Sequence, residues 1–180
     1  MSALGQHLLD QRIVRIWGVL NDEAATIACA QLMAMDATGD AAVTIYIASP
    51  GGPLHAAMAV VDTIDLMGVV VEVTSMGAVE GTAVAIAAAG DRRRAAPHAR
   101  FLLTEPTTSS TGSASELAAW ADQHQRELDR FVARLVRATG RPAEHVEADL
   151  SMGRWLSADE AVLYGLVDEV WLPKKGGPGE

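Results

Sequence analysis

A continuous apolar run that ends in an abrupt turn constrains the fold of this chain more than any other feature. Residues 42–48 read AVTIYIA, a mostly apolar and β-branched run that is typical of a strand buried on both faces. The tetrapeptide SPGG at 49–52 cannot continue a strand, and a helical pattern over Leu54–Met67 follows it. A strand, a tight turn and a helix in this order indicate an α/β unit.

The same alternation recurs along the rest of the chain and predicts an α/β fold with a largely parallel sheet. We expect one domain over residues 1–172, followed by a flexible Lys-, Gly- and Pro-rich tail over 173–180. Further strands are predicted at Arg12–Val19, Val69–Ser75, Ala99–Leu103 and Leu166–Trp171. Further helices are predicted at Ala24–Met35, Ala78–Ala89, Glu116–Thr139 and Ser157–Tyr164. Asn21 or Asp22 can cap the first of these helices, Gly140 ends the third, and Ser157 with Glu160 three residues later has the pattern of a capping box.

Composition excludes several classes of function. The 180 residues include 14 basic and 23 acidic ones, and a net charge of -9 argues against nucleic-acid binding. The single cysteine, Cys29, excludes an internal disulfide framework and a cysteine-based zinc site. No two histidines have the spacing of metal ligands, so we expect neither a metal nor another cofactor. No apolar run is long enough to cross a membrane, and a cytoplasmic location is expected.

Two segments could carry chemistry. The turn at 49–52 can present backbone N–H groups beside a helix N-terminus, as in half of an oxyanion hole, or it can simply join a strand to a helix. Ser75 lies where a predicted strand ends before a small-residue helix, which is one position for a nucleophile. The other interpretation of Ser75 is that it only ends the strand.

Four motifs, in order, resemble those of the Clp protease proteolytic subunit (ClpP) family. They are YIASPGG, GAVEGTAVAIAAAG, PHARFLLTEP and LSADEAVLYGLVDEV, and the match extends from about Leu8 to Val170. The resemblance implies a crotonase-like α/β fold, with a mainly parallel sheet, flanking helices and a protruding handle helix. In that family the handle helices pair two heptameric rings into a tetradecamer whose active sites face an enclosed chamber.

The family cleaves peptides with a Ser-His-Asp triad, and this chain departs from it at all three positions. Counting from the SPGG turn without a gap places the family serine at Gly81, and the distance to Gly90 agrees. The family histidine falls on Thr104 and the family aspartate on Gly153. The resemblance therefore indicates a divergent member without an intact triad, which is inactive by itself.

The same comparison places the oxyanion-hole donors at the backbone N–H groups of Gly52 and Thr82. An alternative keeps the serine-type endopeptidase activity but moves the nucleophile to Ser75 or Thr82, with His98 as the base. A third hypothesis uses the crotonase-like scaffold to bind acyl-CoA or another small ligand. The sequence contains no specific signal for acyl-CoA.

The family resemblance also predicts partners. The retained scaffold and the missing triad predict a structural or regulatory subunit of a ring, in a homomeric assembly or mixed with an active paralogue. In the family, axial pore loops precede the segment that begins here at Leu8, and only about seven residues precede it in this chain. This shortening argues against docking of an AAA+ unfoldase to this subunit.

Overall fold

Seven strands form one sheet within residues 3–172, the part of the chain that the computed structural model describes. The tail predicted over 173–180 lies outside the described residues, and the single-domain boundary at 1–172 stays a prediction. The strands are β1 (Ile13–Trp17), β2 (Val43–Ser49), β3 (Val71–Glu80), β4 (Arg92–Ala95), β5 (Arg100–Leu103), β6 (Arg154–Ser157) and β7 (Glu169–Val170).

The sheet is mainly parallel, as the sequence predicts. The strand order β1-β2-β3-β4-β7 is parallel throughout, and β5 adds a parallel pairing to the C-terminal half of β3. The exception is β6, which runs antiparallel to β5. The ends of β2 and β3 and the end of β5 therefore approach one region of the molecule, where the candidate site lies.

Helices flank the sheet, which confirms the predicted fold class. The helix that follows β2 packs beside the helix that follows β1, and both helices cover the buried face of the sheet. The helices are α1 (Ala3–Asp10), α2 (Asp22–Ala37), α3 (Leu54–Leu66), α4 (Ala83–Ala87), α5 (Ala114–Thr139), α6 (Ala143–Met152) and α7 (Ala158–Tyr164).

Local caps define several helix ends. Asn21 begins α2, and its side-chain oxygen accepts a 2.8 Å hydrogen bond from the Ala24 N–H. Ser157 and Glu160 form the capping box that the sequence predicts at the start of α7. The reciprocal bonds lower the pKa of Glu160, mainly through the Ser157 N–H and then through the Ser157 hydroxyl.

Burial in β2 alternates, which corrects one expectation from the sequence. Val43, Ile45 and Ile47 are completely buried, whereas Thr44 and Tyr46 on the other face are half-buried. The strand was expected to be buried on both faces; only one face packs on the helices. Each apolar side chain that is fully buried there contributes about 1.5–3 kcal/mol.

The segment after Ser75 also differs from the sequence prediction. Strand β3 continues to Glu80, and α4 covers only Ala83–Ala87, whereas a helix over 78–89 was predicted. Pairing with β5 extends the strand, because Ala78 and Glu80 are in register with Arg100 and Leu102. An apolar run without clear periodicity does not distinguish a strand from a buried helix, so neighbouring strands decide it.

The long helix α5 has two different halves. Its C-terminal half is anchored in the core by Phe131, Val132 and Leu135, which are buried. Its N-terminal half is largely exposed, and the apolar side chain of Leu117 there is 38% exposed. This arrangement agrees with a helix that extends beyond the body of the subunit.

The four tryptophans are all outside the fully buried core. Trp120 is half-buried on α5, where its ring stacks on His124 with 5.4 Å between the ring centroids. The other three are exposed and each lies beside an arginine: Trp17 is 55% exposed, Trp155 50% and Trp171 43%. Within residues 3–172, no helix combines the length and the apolar character needed to span a membrane.

Candidate functional site

The turn after β2 forms one wall of the candidate site. The Gly51 N–H donates a 3.0 Å hydrogen bond to the Ser49 hydroxyl, and the Gly51 carbonyl accepts a 3.0 Å bond from the Leu20 N–H. These bonds tie the turn both to its own strand and to the segment after β1. The turn is therefore a fixed element, and its position relative to α4 is well defined.

Gly81 lies directly opposite this turn. It joins β3 to α4, and its N–H donates a 3.0 Å hydrogen bond to the Leu102 carbonyl. A Cβ atom on Gly81 would lie 3.6 Å from the Pro50 carbonyl oxygen and 3.7 Å from Cγ2 of Thr104. The structure thus brings two of the three positions that were predicted to match the triad, 81 and 104, into contact distance.

Gly153 reaches the same place through the antiparallel pair β5–β6. Leu103 is in register with Arg154, so Thr104, which follows Leu103, lies across from Gly153, which precedes Arg154. The Glu105 N–H also donates a 3.2 Å bond to the Leu150 carbonyl, which fixes this end of α6 against the strand. The sequence positions 81, 104 and 153 therefore converge in space.

The side chains at these three positions carry no acid–base chemistry. Gly81 and Gly153 have no side chain, and the threonine hydroxyl does not titrate near neutral pH. Gly153 caps α6 in the left-handed conformation, with φ 69° and ψ 61°, and Gly81 also has a positive φ of 54°. Two of the three positions thus have backbone conformations that strongly favour glycine.

The two residues predicted at the oxyanion-hole positions, Gly52 and Thr82, are in direct contact. The Gly52 N–H donates a 3.0 Å hydrogen bond to the Thr82 hydroxyl, and that hydroxyl donates a 3.1 Å bond to the Gly52 carbonyl. Thr82 is buried, with 2% of its surface exposed. The sequence gives no signal for this pair of bonds, because the two residues are 30 positions apart and neither lies in a polar motif.

The alternative nucleophiles are not brought to His98. Ser75 is 0% exposed in the middle of β3, and its hydroxyl has no hydrogen-bond partner among the described residues. The two hydrogen bonds described for the Thr82 hydroxyl are made with Gly52. His98 is exposed in the loop before β5. No hydrogen bond between His98 and either hydroxyl is found within residues 3–172.

A buried polar network flanks Gly153 and was not predicted from the sequence. The buried carboxylate of Asp149 accepts a 2.8 Å bond from the Tyr164 hydroxyl and bonds of 3.0 and 3.2 Å from Arg154 Nη1. Burial, followed by the bond to Asp149, raises the pKa of Tyr164. The network joins α6, β6 and α7, so it holds the peptide segment around Gly153 in place.

Within residues 3–172, no three His, Cys, Asp or Glu side chains are arranged so that they could hold a metal ion. His55 Nε2 lies 2.8 Å from Asp22 Oδ1, and both side chains are exposed.

Comparisons with known proteins agree with the motifs. The family model described as Clp protease matches residues 2–174. The chain is 38% identical over 173 residues to ATP-dependent Clp protease proteolytic subunit 1 of Mycobacterium bovis, covering 92% of this chain and 84% of the relative. It is 36% identical over 178 residues to the protein of the same name from Frankia casuarinae, covering 96% and 83%. It is 34% identical over 168 residues to proteolytic subunit 2 of Thermobifida fusca, covering 92% and 83%.

Proposed function

Because this chain belongs to the Clp protease family, we propose that it is a proteolytic-subunit homologue without peptidase activity of its own. Its role is that of a structural or regulatory subunit in a ring assembly that also contains an active paralogue. The observation that carries this proposal is the convergence of Gly81, Thr104 and Gly153, three residues without a base or a carboxylate.

The chemistry of the missing groups supports inactivity. Acyl transfer by a triad needs a hydroxyl nucleophile, an imidazole that accepts its proton and a carboxylate that orients the imidazole. Gly81 lacks the hydroxyl, Thr104 lacks the imidazole and Gly153 lacks the carboxylate. Enzymes that lose triad members retain only a residual acceleration of about 10³–10⁴ over water, from binding and the oxyanion hole.

The displaced-nucleophile hypothesis receives no support from the geometry. Ser75 is inaccessible to a polypeptide. The Thr82 hydroxyl donates its hydrogen bond to the Gly52 carbonyl and not to a base. An activated hydroxyl needs a base within hydrogen-bonding distance. Acyl-CoA binding likewise has no specific observation in its favour, and we do not propose it.

The preserved scaffold supports a role in assembly. The core is continuous across the sheet and its helices, and α5 presents a largely exposed N-terminal half. Members of the family form rings, and an extended helix of this kind is the element that pairs rings in them. We therefore propose heptameric rings that pair through α5. The cytoplasmic location expected from the sequence stays a prediction.

The catalytic part of the proposal is tested by intact mass after incubation with a fluorophosphonate that labels serine hydrolases. We expect no adduct on this chain, while an active family member treated in parallel gains one adduct per subunit. A stoichiometric adduct would contradict the proposal. Peptide mapping of the Ser75→Ala and Thr82→Val variants would then identify the labelled residue.

The assembly part is tested by native mass spectrometry of this chain co-expressed with an active proteolytic subunit that carries a different tag. We expect mixed rings in which peptidase activity scales with the number of active subunits. Rings that never contain both chains, with unchanged activity of the partner, would show that the structural role is wrong.

A further inference from the structure

Both polar backbone atoms of Gly52 are bonded to one side chain. The Gly52 N–H lies 3.0 Å from Thr82 Oγ1, and the same oxygen lies 3.1 Å from the Gly52 carbonyl oxygen. Because the N–H can only donate and the carbonyl can only accept, the hydroxyl accepts from the first and donates to the second. One threonine therefore clamps the glycine of a turn that is 30 residues away in the sequence.

The location of the hydroxyl oxygen gives this clamp a chemical consequence. An oxyanion hole works when its donors lie about 2.7–3.1 Å from the place that the oxyanion occupies. Thr82 Oγ1, at 3.0 Å from the Gly52 nitrogen, stands at that distance from the donor. A substrate carbonyl would have to displace this oxygen before it could accept a hydrogen bond from the Gly52 N–H.

Displacement is unfavourable because the hydroxyl is enclosed. Thr82 is 2% exposed, and a carbonyl that displaced its hydroxyl would break both hydrogen bonds between Thr82 and Gly52. A buried donor or acceptor that loses its partner bears the full desolvation cost of that group. The neighbouring N–H of Gly51 is also satisfied within the chain, by the Ser49 hydroxyl at 3.0 Å.

We infer that Thr82 is a positioning residue that holds the turn at Gly52 and closes its N–H group to any acyl carbonyl. The inference rests on the proposed function, which assigns Gly52 to the oxyanion-equivalent position, and it extends that proposal. Restoring the triad side chains would therefore restore acyl chemistry only in part, because one of the two N–H groups that would stabilise the developing charge is already bonded. The site is thus altered both at the triad positions and at the turn that carries Gly52.

Hydrogen exchange at the Gly52 amide tests the clamp directly. Thr82→Val removes the hydroxyl at nearly constant volume, and Thr82→Ser keeps the hydroxyl as a matched control. We expect the Gly52 amide to exchange at least about tenfold faster in the valine variant, since about 1.4 kcal/mol corresponds to a factor of ten. The serine variant should stay close to the wild type. Exchange in the valine variant within about twofold of the wild type would overturn the inference.

A second experiment tests the chemical consequence in the triple variant Gly81→Ser, Thr104→His, Gly153→Asp. We expect the fluorophosphonate to label this variant at least about tenfold faster once Thr82→Val is added. Adding Thr82→Ser should leave the labelling rate unchanged. Equal labelling with and without Thr82→Val would overturn the inference. If neither variant is labelled, the Gly52 exchange rates decide it.

The two proposals fail in different ways. Labelling of the unmodified chain would contradict the proposed inactivity, whatever the exchange rate at Gly52. Fast exchange of the Gly52 amide in the unmodified chain would overturn the clamp, whether or not the chain is active.

Discussion

A Cβ atom on Gly81 would lie 3.7 Å from Cγ2 of Thr104, which is ordinary van der Waals contact. Space is therefore available for a small side chain at position 81, and the obstacle to one is the backbone. With φ at 54°, an L-residue brings its Cβ close to the following carbonyl oxygen. Glycine at this position removes both the nucleophile and a strained conformation.

This relationship predicts that Gly81→Ser destabilises the fold. The left-handed conformation costs a residue with a Cβ about 1–2 kcal/mol, so the free energy of unfolding should fall by that amount. Urea denaturation followed by circular dichroism measures it. Gly68→Ala is the matched control, because Gly68 lies outside the left-handed region and a Cβ there meets only Asp36 Oδ1 at 3.7 Å. Equal losses in both variants would contradict the argument.

The stability of two variants at Gly153 should differ according to how well each side chain tolerates a positive φ. Gly153 has φ 69° and ψ 61°, and apart from its chain neighbours no atom of residues 3–172 lies within 4 Å of a Cβ built on it, so the backbone is what opposes a side chain. Asn tolerates this conformation better than a β-branched residue does. Gly153→Val should therefore lose about 1 kcal/mol more stability than Gly153→Asn. Thermal melts of the two variants compare them, and identical melting temperatures would argue against a backbone cause.

The Asp149 network should contribute measurably to stability. Tyr164→Phe removes the 2.8 Å hydrogen bond to the buried Asp149 carboxylate and leaves Arg154 as its remaining side-chain partner. Hydrogen bonds to charged groups contribute about 1.5–3 kcal/mol, and we expect a loss in that range. Tyr46→Phe is the control, because no hydrogen bond of the Tyr46 hydroxyl is found within residues 3–172. A loss as large at position 46 would contradict the prediction.

Acid should weaken the fold through Asp168. Burial opposes ionisation of this carboxylate, but bonds from the Arg93 side chain and backbone N–H outweigh it and lower the pKa of Asp168. Because the folded pKa lies below the ordinary value of about 3.9, the stabilisation is present above that pH and disappears as pH falls through the folded pKa. Urea midpoints between about pH 2 and pH 5 should therefore depend less on pH in Asp168→Asn. Parallel pH profiles for variant and wild type would exclude this contribution.

Features of the fold that depend on neighbouring residues in the chain were predictable. Of the two candidates for the cap of α2, Asn21 is the one that the structure shows, and the Ser157 cap and the glycine that ends α5 were correct. Each of these features depends on residues within one helical turn. Strand β6 was missed, since Arg154–Ser157 is short and becomes a strand only by pairing with β5, some fifty residues earlier. The boundary between β3 and α4 was wrong for the same reason.

The candidate site divides in the same way. Positions 81, 104 and 153 were identified by counting along the sequence motifs alone, and the structure places them close together. The Thr82–Gly52 bonds and the Asp149 network join segments that are distant in sequence or lack a polar pattern. Such contacts are determined by the folded chain as a whole, because a single threonine or aspartate in the sequence does not indicate its partner.

The placement of the tryptophans determines how this protein can be followed in solution. Trp17, Trp155 and Trp171 are already 43–55% exposed, so denaturant will change the wavelength of their emission less than that of fully buried rings. Contact with another protein at any of these rings would instead shift the emission to the blue. The intrinsic fluorescence of the chain is therefore an unlabelled reporter of assembly.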